Sequence, residues 1–267
     1  MRKQDWKERF GGAALVTGAS GGLGETFARK LAEKGLDLVL VARRKEELER
    51  VAQEIRATHG VRVETIGQDL SQSDAAEKVG AVTDKLNIRI GLLINNAGFG
   101  TYGSFAELDP QKESMMVDLN CRAPVTFTSK YLPAMKKRGK GALVFLASIA
   151  AYQPTPFFAT YGATKAFNLL FGEALWAELR GTGVQVVSLS PGYTKTKFQV
   201  NAGYGGTGPF GIWSTPEEVV DQCLRKLGKV PSTIPGFLNR ILVGSIRFTP
   251  RNVAALVSYW ISKPKHA

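Results

Sequence analysis

The chain has 267 residues, 44% hydrophobic and 22% charged, with 29 Gly and two Cys. That balance excludes wholesale disorder, the glycines lack the three-residue period of collagen, and two cysteines exclude a disulfide-built scaffold. The formal net charge is +12, and eight of the Lys/Arg residues lie between Gln222 and Ala267, a stretch with no Asp or Glu. So basic a tail fits nucleic acid, a membrane surface or an anionic substrate, but no helix-turn-helix, zinc-finger or RNA-binding signature accompanies it.

In chain order, Met1 to Phe10 is charged throughout and has no leader-like apolar core. Ala13–Thr17 reads as a buried strand, and a helix runs from about Gly22 to Lys34, stopping at Gly35. Asp37–Ala42 is a second strand. Glu46–Thr58 is a helix carrying Leu48, Val51, Ala52 and Ile55 at three- and four-residue spacing, and His59–Gly60 ends it. Val61–Ile66, Gly91–Asn95, Ala142–Ala147 and Val184–Leu189 are further strands. Helices at Ser73–Leu86, Gln111–Arg138 (bent near Pro124) and Tyr161–Arg180 separate them. Near-continuous apolar strands alternating with helices specify a doubly wound parallel sheet of about seven strands covered on both faces, an α/β fold in one domain. Beyond Pro191 the pattern breaks. Asn201–Gly211 reads as a mobile loop. Pro216–Leu227 is a helix with Thr215 as N-cap, and Val230–Ile234 is a short last strand. Val253, Leu256, Val257, Trp260 and Ile261 form one apolar helical stripe. The longest uncharged run, Gly141–Thr164, contains Pro154 and Pro156 and reads poorly as a membrane helix. A soluble, cytoplasmic protein is expected, with peripheral membrane contact left open.

Between the first strand and first helix lies Thr17-Gly18-Ala19-Ser20-Gly21-Gly22-Leu23-Gly24. Glycines there permit a tight turn and close backbone approach, and the helix start offers free N–H groups to a pyrophosphate. The second strand ends in Ala42-Arg43-Arg44-Lys45, with no acid before Glu46. A ribose 2′-hydroxyl is held by an acid at this position and a 2′-phosphate by Arg, so NADP(H) is favoured over NAD(H).

These residues resemble the short-chain dehydrogenase/reductase family, from Gly12 to Gly192 and more loosely beyond. Gly18, Gly22 and Gly24 match its TGxxxGxG spacing, with Ser20 and Leu23 in the same turn. Asn95-Asn96-Ala97-Gly98 matches NNAG, and Tyr161-Gly162-Ala163-Thr164-Lys165 matches YxxxK. Ser148 lies thirteen residues before Tyr161, and Asn120 lies in the helix after NNAG. The resemblance implies a Rossmann-type fold with a cofactor and catalytic core over residues 12–192 and a substrate loop with a helical extension over 193–267. It implies that Asp69 and Leu70 lie near the adenine, and that Pro191, Gly192, Thr194 and Thr196 line the nicotinamide side. Thr194 stands where Val or Ile is usual. The C-terminal stretch around Ile234–Arg240, Arg247 and Pro250-Arg251 is similar to hydroxysteroid dehydrogenases and long-chain 3-ketoacyl reductases.

The residue types suit the chemistry. Tyr161 and Lys165, four apart, share a helix face, and an adjacent ammonium is expected to lower the phenol pKa for acid–base work. Ser148 at a strand end can hold the substrate oxygen, and the resemblance implies that Lys165 holds the nicotinamide ribose and Asn120 a relay water. Phe198, Tyr204, Phe210, Ile212 and Trp213, with Tyr152, Pro154, Phe157 and Phe158, are candidate walls of an apolar substrate site, each equally suited to ordinary core packing. Cys121 and Cys223 read as core residues, and His59 and His266 have no metal-ligand spacing, so no metal is expected. The reading is an NADPH-dependent carbonyl reductase or alcohol dehydrogenase acting on a lipophilic ketone or 3-oxoacyl compound, and the resemblance implies a homodimer or homotetramer through the Gln111–Arg138 and Tyr161–Arg180 helices. The alternative is a non-catalytic NADP(H)-binding protein that docks through its basic C-terminal region.

Overall fold

The central strands are apolar along their whole length because helices cover both faces of the sheet they form. The computed structural model describes residues 4–204 and 213–263. Its strands are β1 (Ala13–Thr17), β2 (Leu38–Ala42), β3 (Val63–Gly67), β4 (Ile90–Asn95), β5 (Gly141–Leu146), β6 (Val184–Leu189) and β7 (Ser232–Thr233). All pair in parallel, in the order β3-β2-β1-β4-β5-β6-β7. The order reverses between β1 and β4, and sheets of this kind bind ligands outside the strand C-termini at that crevice.

The helices are α1 (Gln4–Phe10), α2 (Gly22–Glu33), α3 (Lys45–His59), α4 (Ala75–Lys85), α5 (Pro110–Val117), α6 (Ala123–Arg138), α7 (Ala159–Glu178), α8 (Phe198–Asn201), α9 (Pro216–Lys226), α10 (Phe237–Ile246) and α11 (Arg251–Ser262). Alternate strand residues feed two cores. Ala14, Val16, Leu38 and Leu40 join Phe27 and Leu31 of α2, Leu48 of α3 and Val219 of α9. Leu15, Val39, Leu143 and Val186 join Val79 of α4, Phe127 and Met135 of α6 and Leu175 of α7 on the other face. Local chemistry sets the ends. Gly60 closes α3 with φ 65°, a left-handed conformation that glycine adopts without strain. Thr215 and Glu218 form a reciprocal capping box at the start of α9.

One expectation changes, and the structure adds two features that the sequence left open. The charged N-terminus forms α1, because Trp6 and Phe10, four apart, are buried and pack edge to face 5.4 Å apart. The single helix expected over Gln111–Arg138 is three segments. A π-helical turn over Asp118–Arg122 separates α5 from α6, and Pro124 sits in the first turn of α6, where proline is tolerated. The apolar stripe of α11 faces away from the domain: Ala254 and Ser258 are its buried residues, while Val253, Leu256, Val257, Trp260 and Ile261 are exposed. The Gly-rich stretch expected as a loop lies, from Gly205 to Gly211, outside the described residues, as do Phe210, Ile212 and His266. No helix among the described residues is long and apolar enough to cross a membrane.

Candidate active site

The turn after β1 carries the expected glycines. Gly18 and Gly22 have φ of 67° and 57°. A Cβ on Gly24 would lie 2.2 Å from Gly18 O and 2.6 Å from Asn96 Nδ2, so only glycine fits where α2 crosses the turn. A Cβ on Gly21 would meet nothing within 4 Å, which leaves that backbone facing open space. Thr17 Oγ1 ties the turn to the end of β4: it donates to Ile94 O (3.1 Å) and accepts from Asn96 N (2.9 Å) and Ala97 N (3.0 Å). Asn96 Nδ2 donates to Thr17 O at 2.8 Å. Thr196 stands above this turn, its Cγ2 3.6 Å from the Cβ position of Gly22, so the two sides of the crevice approach each other here.

At the end of β2, Arg43 and Arg44 are both exposed. Arg44 pairs with Glu47 (2.6 Å) and reaches Ser20 Oγ at 3.5 Å. Arg43, like Lys45 two residues on, makes no ion pair among the described residues, which leaves its guanidinium for an incoming anion. Asp69 accepts from Ser71 N (2.9 Å) and Ser71 Oγ (2.8 Å), a local turn, and Leu70 is buried beside it. Ile149 N donates to Pro191 O at 3.0 Å, joining the loops after β5 and β6. Thr194 turns its hydroxyl onto Gly192 O (3.1 Å) and bridges Ser214, so its side chain serves the loop and its backbone is what the crevice meets. The open Gly21 backbone, the free Arg43 and a buried lysine with spare donors, described next, fit a dinucleotide with a 2′-phosphate.

Tyr161 and Lys165 lie one turn apart on α7. Lys165 is buried. Its Nζ donates to Leu146 O at 2.8 Å, which leaves two N–H groups for acceptors such as sugar hydroxyls. A Cβ on Gly98 would sit 2.9 Å from Asn120 Oδ1 and 3.5 Å from Lys165 Nζ, so NNAG, Asn120 and YxxxK converge on one spot. Asn120 is fully buried on the π turn: its Oδ1 accepts from Phe99 N (3.1 Å), and its Nδ2 donates to Phe99 O (2.9 Å) and Thr164 Oγ1 (3.0 Å). Ser148 caps the 3-10 turn Ile149–Tyr152, its Oγ accepting from Ala150 N at 3.2 Å, and it lies near enough to Tyr161 to pull the phenol pKa down. The expected lowering of the Tyr161 pKa does not come from the protein alone. Burial pushes the phenol up to about 12, against the opposing pull of Ser148, and Lys165 Nζ stands 5.7 Å from the ring centroid, turned to Leu146 O. Burial lowers Lys165 to about 8.

The aromatic residues separate into two kinds. Phe198 and Phe158 stand 5.2 and 6.2 Å from the Tyr161 ring, Tyr204 is 5.5 Å from Phe158, and Tyr193 joins Tyr204 and Trp213. Tyr152 instead hydrogen-bonds Ser190 (3.3 Å) and is a packing residue, and Pro154 is exposed. Phe157, with φ 65°, holds its strained conformation beside Tyr259 of α11 at 5.5 Å. The wall continues to α11 through Tyr102, whose hydroxyl donates to Ser262 O at 2.6 Å.

A family model described as short chain dehydrogenase matches residues 12–204. The chain belongs to the short-chain dehydrogenase family. Its similarity to a 7beta-hydroxysteroid dehydrogenase of Collinsella aerofaciens is 34% identity, covering 88% of this chain and 89% of that one. A very-long-chain 3-oxoacyl-CoA reductase of Homo sapiens is 31% identical, covering 87% and 73%. The structure of a short-chain dehydrogenase from Sphingobium yanoikuyae in complex with NADPH superimposes with a TM-score of 0.79 at 31% identity, covering 96% of this chain and 97% of that one. The short-chain dehydrogenase described here is therefore an oxidoreductase acting between CH–OH and C=O groups.

Sequence reasoning missed four residues of this short-chain dehydrogenase's site. Thr17 is the hydrogen-bond node of the crevice. Gly100 lies under Tyr161, where a Cβ would come within 2.9 Å of Cδ2. Tyr102 carries the wall to α11. Asn168 Nδ2 donates to Asn120 O at 2.7 Å. Pro124, which has no N–H for the carbonyl four residues before it, signalled that the Asn120 carbonyl loses its usual helical donor, but the sequence did not point to Asn168 as the group that supplies one.

Proposed function

We propose that this short-chain dehydrogenase is an NADP(H)-dependent carbonyl reductase, running in reverse as an alcohol dehydrogenase, on a lipophilic ketone or 3-oxoacyl compound. The observation that carries the reading is the convergence of Gly98, Asn120 and Lys165 within contact distance, one turn from Tyr161 and beside Ser148. The Gly18–Gly24 turn, with Ser20 and Leu23, and the start of α2 take the pyrophosphate, and Arg43 with Arg44 takes the 2′-phosphate. Asp69 and Leu70 flank the adenine. Asn96, Ala97 and Gly98 form the floor, and Pro191, Gly192, Thr194 and Thr196 the nicotinamide side. NADP(H), when bound, supplies or accepts the hydride.

The chain's own residues handle the proton. With a pKa near 12, Tyr161 is protonated at neutral pH and gives its proton to the substrate oxygen, which Ser148 holds by a hydrogen bond. Lys165 holds ribose hydroxyls and, with Asn120, returns a proton to Tyr161. The aromatic wall of Phe158, Phe198, Tyr193 and Tyr204 favours an apolar substrate. The two relatives, named for a hydroxysteroid and a long-chain 3-oxoacyl thioester, support that class. Self-association in the cytoplasm belongs to the same reading: Met115 and Val117 of α5 and Phe167 and Leu170 of α7 are exposed apolar residues suited to pairing two copies.

NADPH consumption against steroid ketones, 3-oxoacyl thioesters and small aldehydes tests this. Tyr161→Phe is expected to lower turnover by about 10²–10⁴-fold with NADPH binding retained. Unchanged turnover in that variant would remove Tyr161 from the chemistry. Tight NADPH binding with no turnover on any class would favour the non-catalytic alternative.

A further inference from the structure

The two C-terminal helices are built outside in. On α11 the residues turned to the domain are small, Ala254, Ala255, Ser258 and Ser262, together with Tyr259, while the large apolar side chains point away. Trp260 is 72% exposed and Leu256 60%. On α10 the pattern repeats. Asn239 is its buried residue, held on Pro235 O at 2.8 Å, while Phe237 (68% exposed), Leu238, Ile241 and Leu242 face out. Phe248, in the short connection between the two helices, is 87% exposed. So many large apolar side chains exposed on consecutive elements mark an interaction surface, since water-facing helices carry polar residues there.

Charge identifies the occupant. Arg240, Arg247, Arg251 and Lys263 are exposed on the same two helices and their connection, and no Asp or Glu occurs from Gln222 onward. None of the four forms an ion pair among the described residues. Arg240 lies 5.8 Å from the Phe237 ring centroid, and Lys263 5.9 Å from those of Tyr259 and Trp260, which leaves the charged groups at the margin of the apolar face. A second copy of this chain would bring like charges together with no carboxylate between them. An anionic lipid surface meets both properties at once: the apolar side chains enter the acyl boundary, the basic groups stay among the headgroups, and Trp260 occupies the interface.

We infer that α10 and α11 dock this short-chain dehydrogenase onto a membrane surface carrying anionic lipid. The inference rests on the surface alone and holds whatever the substrate is. The same helices reach the aromatic wall on their inner side, through Tyr259 against Phe157 and Ser262 against Tyr102, so the docked face and the substrate wall are two sides of one element.

The test is co-sedimentation of the full chain with vesicles of phosphatidylcholine alone and of phosphatidylcholine with one third phosphatidylglycerol. Binding to the anionic vesicles is expected to be at least about tenfold stronger and to weaken with added salt. The double variant Leu256→Ser/Trp260→Ser and the triple variant Arg240→Gln/Arg247→Gln/Arg251→Gln are each expected to lose it, with NADPH turnover on a water-soluble ketone unchanged. A blue shift of tryptophan emission on adding anionic vesicles, absent in Trp260→Phe, is the second readout. No binding to anionic vesicles, or equal binding to both kinds, overturns the inference. So does a self-associated chain that ignores vesicles and becomes monomeric in the Leu256→Ser/Trp260→Ser variant, which assigns the face to a second copy.

Discussion

At the residue scale, Asn120 is held by a proline that cannot donate and an asparagine that can. The Pro124 nitrogen has no hydrogen for the Asn120 carbonyl, and Asn168 Nδ2 supplies that bond at 2.7 Å while its own Oδ1 stays buried without a partner among the described residues. Asn168 is thus kept for what its nitrogen does. Asn168→Leu removes that donor from the carbonyl of buried Asn120, at a cost of about 1–3 kcal/mol. If Asn120 serves the proposed proton path, kcat is expected to fall more than KM, and the pH of half-maximal turnover to move. An unchanged pH profile with lost thermal stability would leave Asn168 a structural residue only. The pH limit itself comes from Lys165. An amine lowered from 10.5 to about 8 keeps its charge below pH 8 and loses it as pH rises through that value, whereas Tyr161 keeps its proton until about pH 12. Ketone reduction is therefore expected to decline above pH 8, and the decline to vanish from the residual activity of Lys165→Arg, whose guanidinium stays charged. The YxxxK spacing made the Tyr161–Lys165 pairing legible. It did not reveal which group titrates first, because burial of each side chain is a property of the packed fold.

At the element scale, the cofactor crevice depends on two glycines that touch and one arginine that does not. The Cβ of Gly24→Ala would fall 2.2 Å from a backbone oxygen, which has no rotamer to move. Overpacking of this kind costs about 1–3 kcal/mol, so weaker NADPH binding and a lower unfolding midpoint are expected together. Arg43 is exposed and makes no side-chain hydrogen bond or ion pair among the described residues, so Arg43→Ala tests recognition with little damage expected to the fold. Loss of charge-assisted hydrogen bonds worth about 1.5–3 kcal/mol raises the KM for NADPH roughly ten- to a hundredfold and leaves NADH unaffected. Equal loss for both cofactors would show that Arg43 does not read the 2′-phosphate. The sheet, its helices and this crevice were readable because apolar runs, glycine spacing and caps are local signals. The π turn was not, since Asp118–Arg122 keeps helical periodicity and its widened turn is held by partners on α7, distant in sequence.

At the scale of the whole molecule, the sequence showed that α11 has an apolar stripe but not which way it turns. Periodicity defines a face, and only packing decides whether that face is buried. Here the answer follows from size. Ala254 and Ser258 fit the shallow contact with the domain, and Trp260 and Leu256 do not. Stability should then respond in the reverse of the usual order. Leu256→Ser and Trp260→Ser remove side chains already in water, and each is expected to shift the unfolding free energy by less than about 0.5 kcal/mol. Ala254→Leu enlarges a buried position and is expected to cost about 1–3 kcal/mol. Urea unfolding of the three variants, at a protein concentration low enough to suppress self-association, measures both. If the serine variants were the more damaging, the stripe would be part of a core formed with another surface of the same chain, and α10 and α11 would not be free to meet a membrane. If the order holds, the C-terminal helices are an outward-facing layer whose large apolar residues contribute little to folding, which is the condition a docking surface requires.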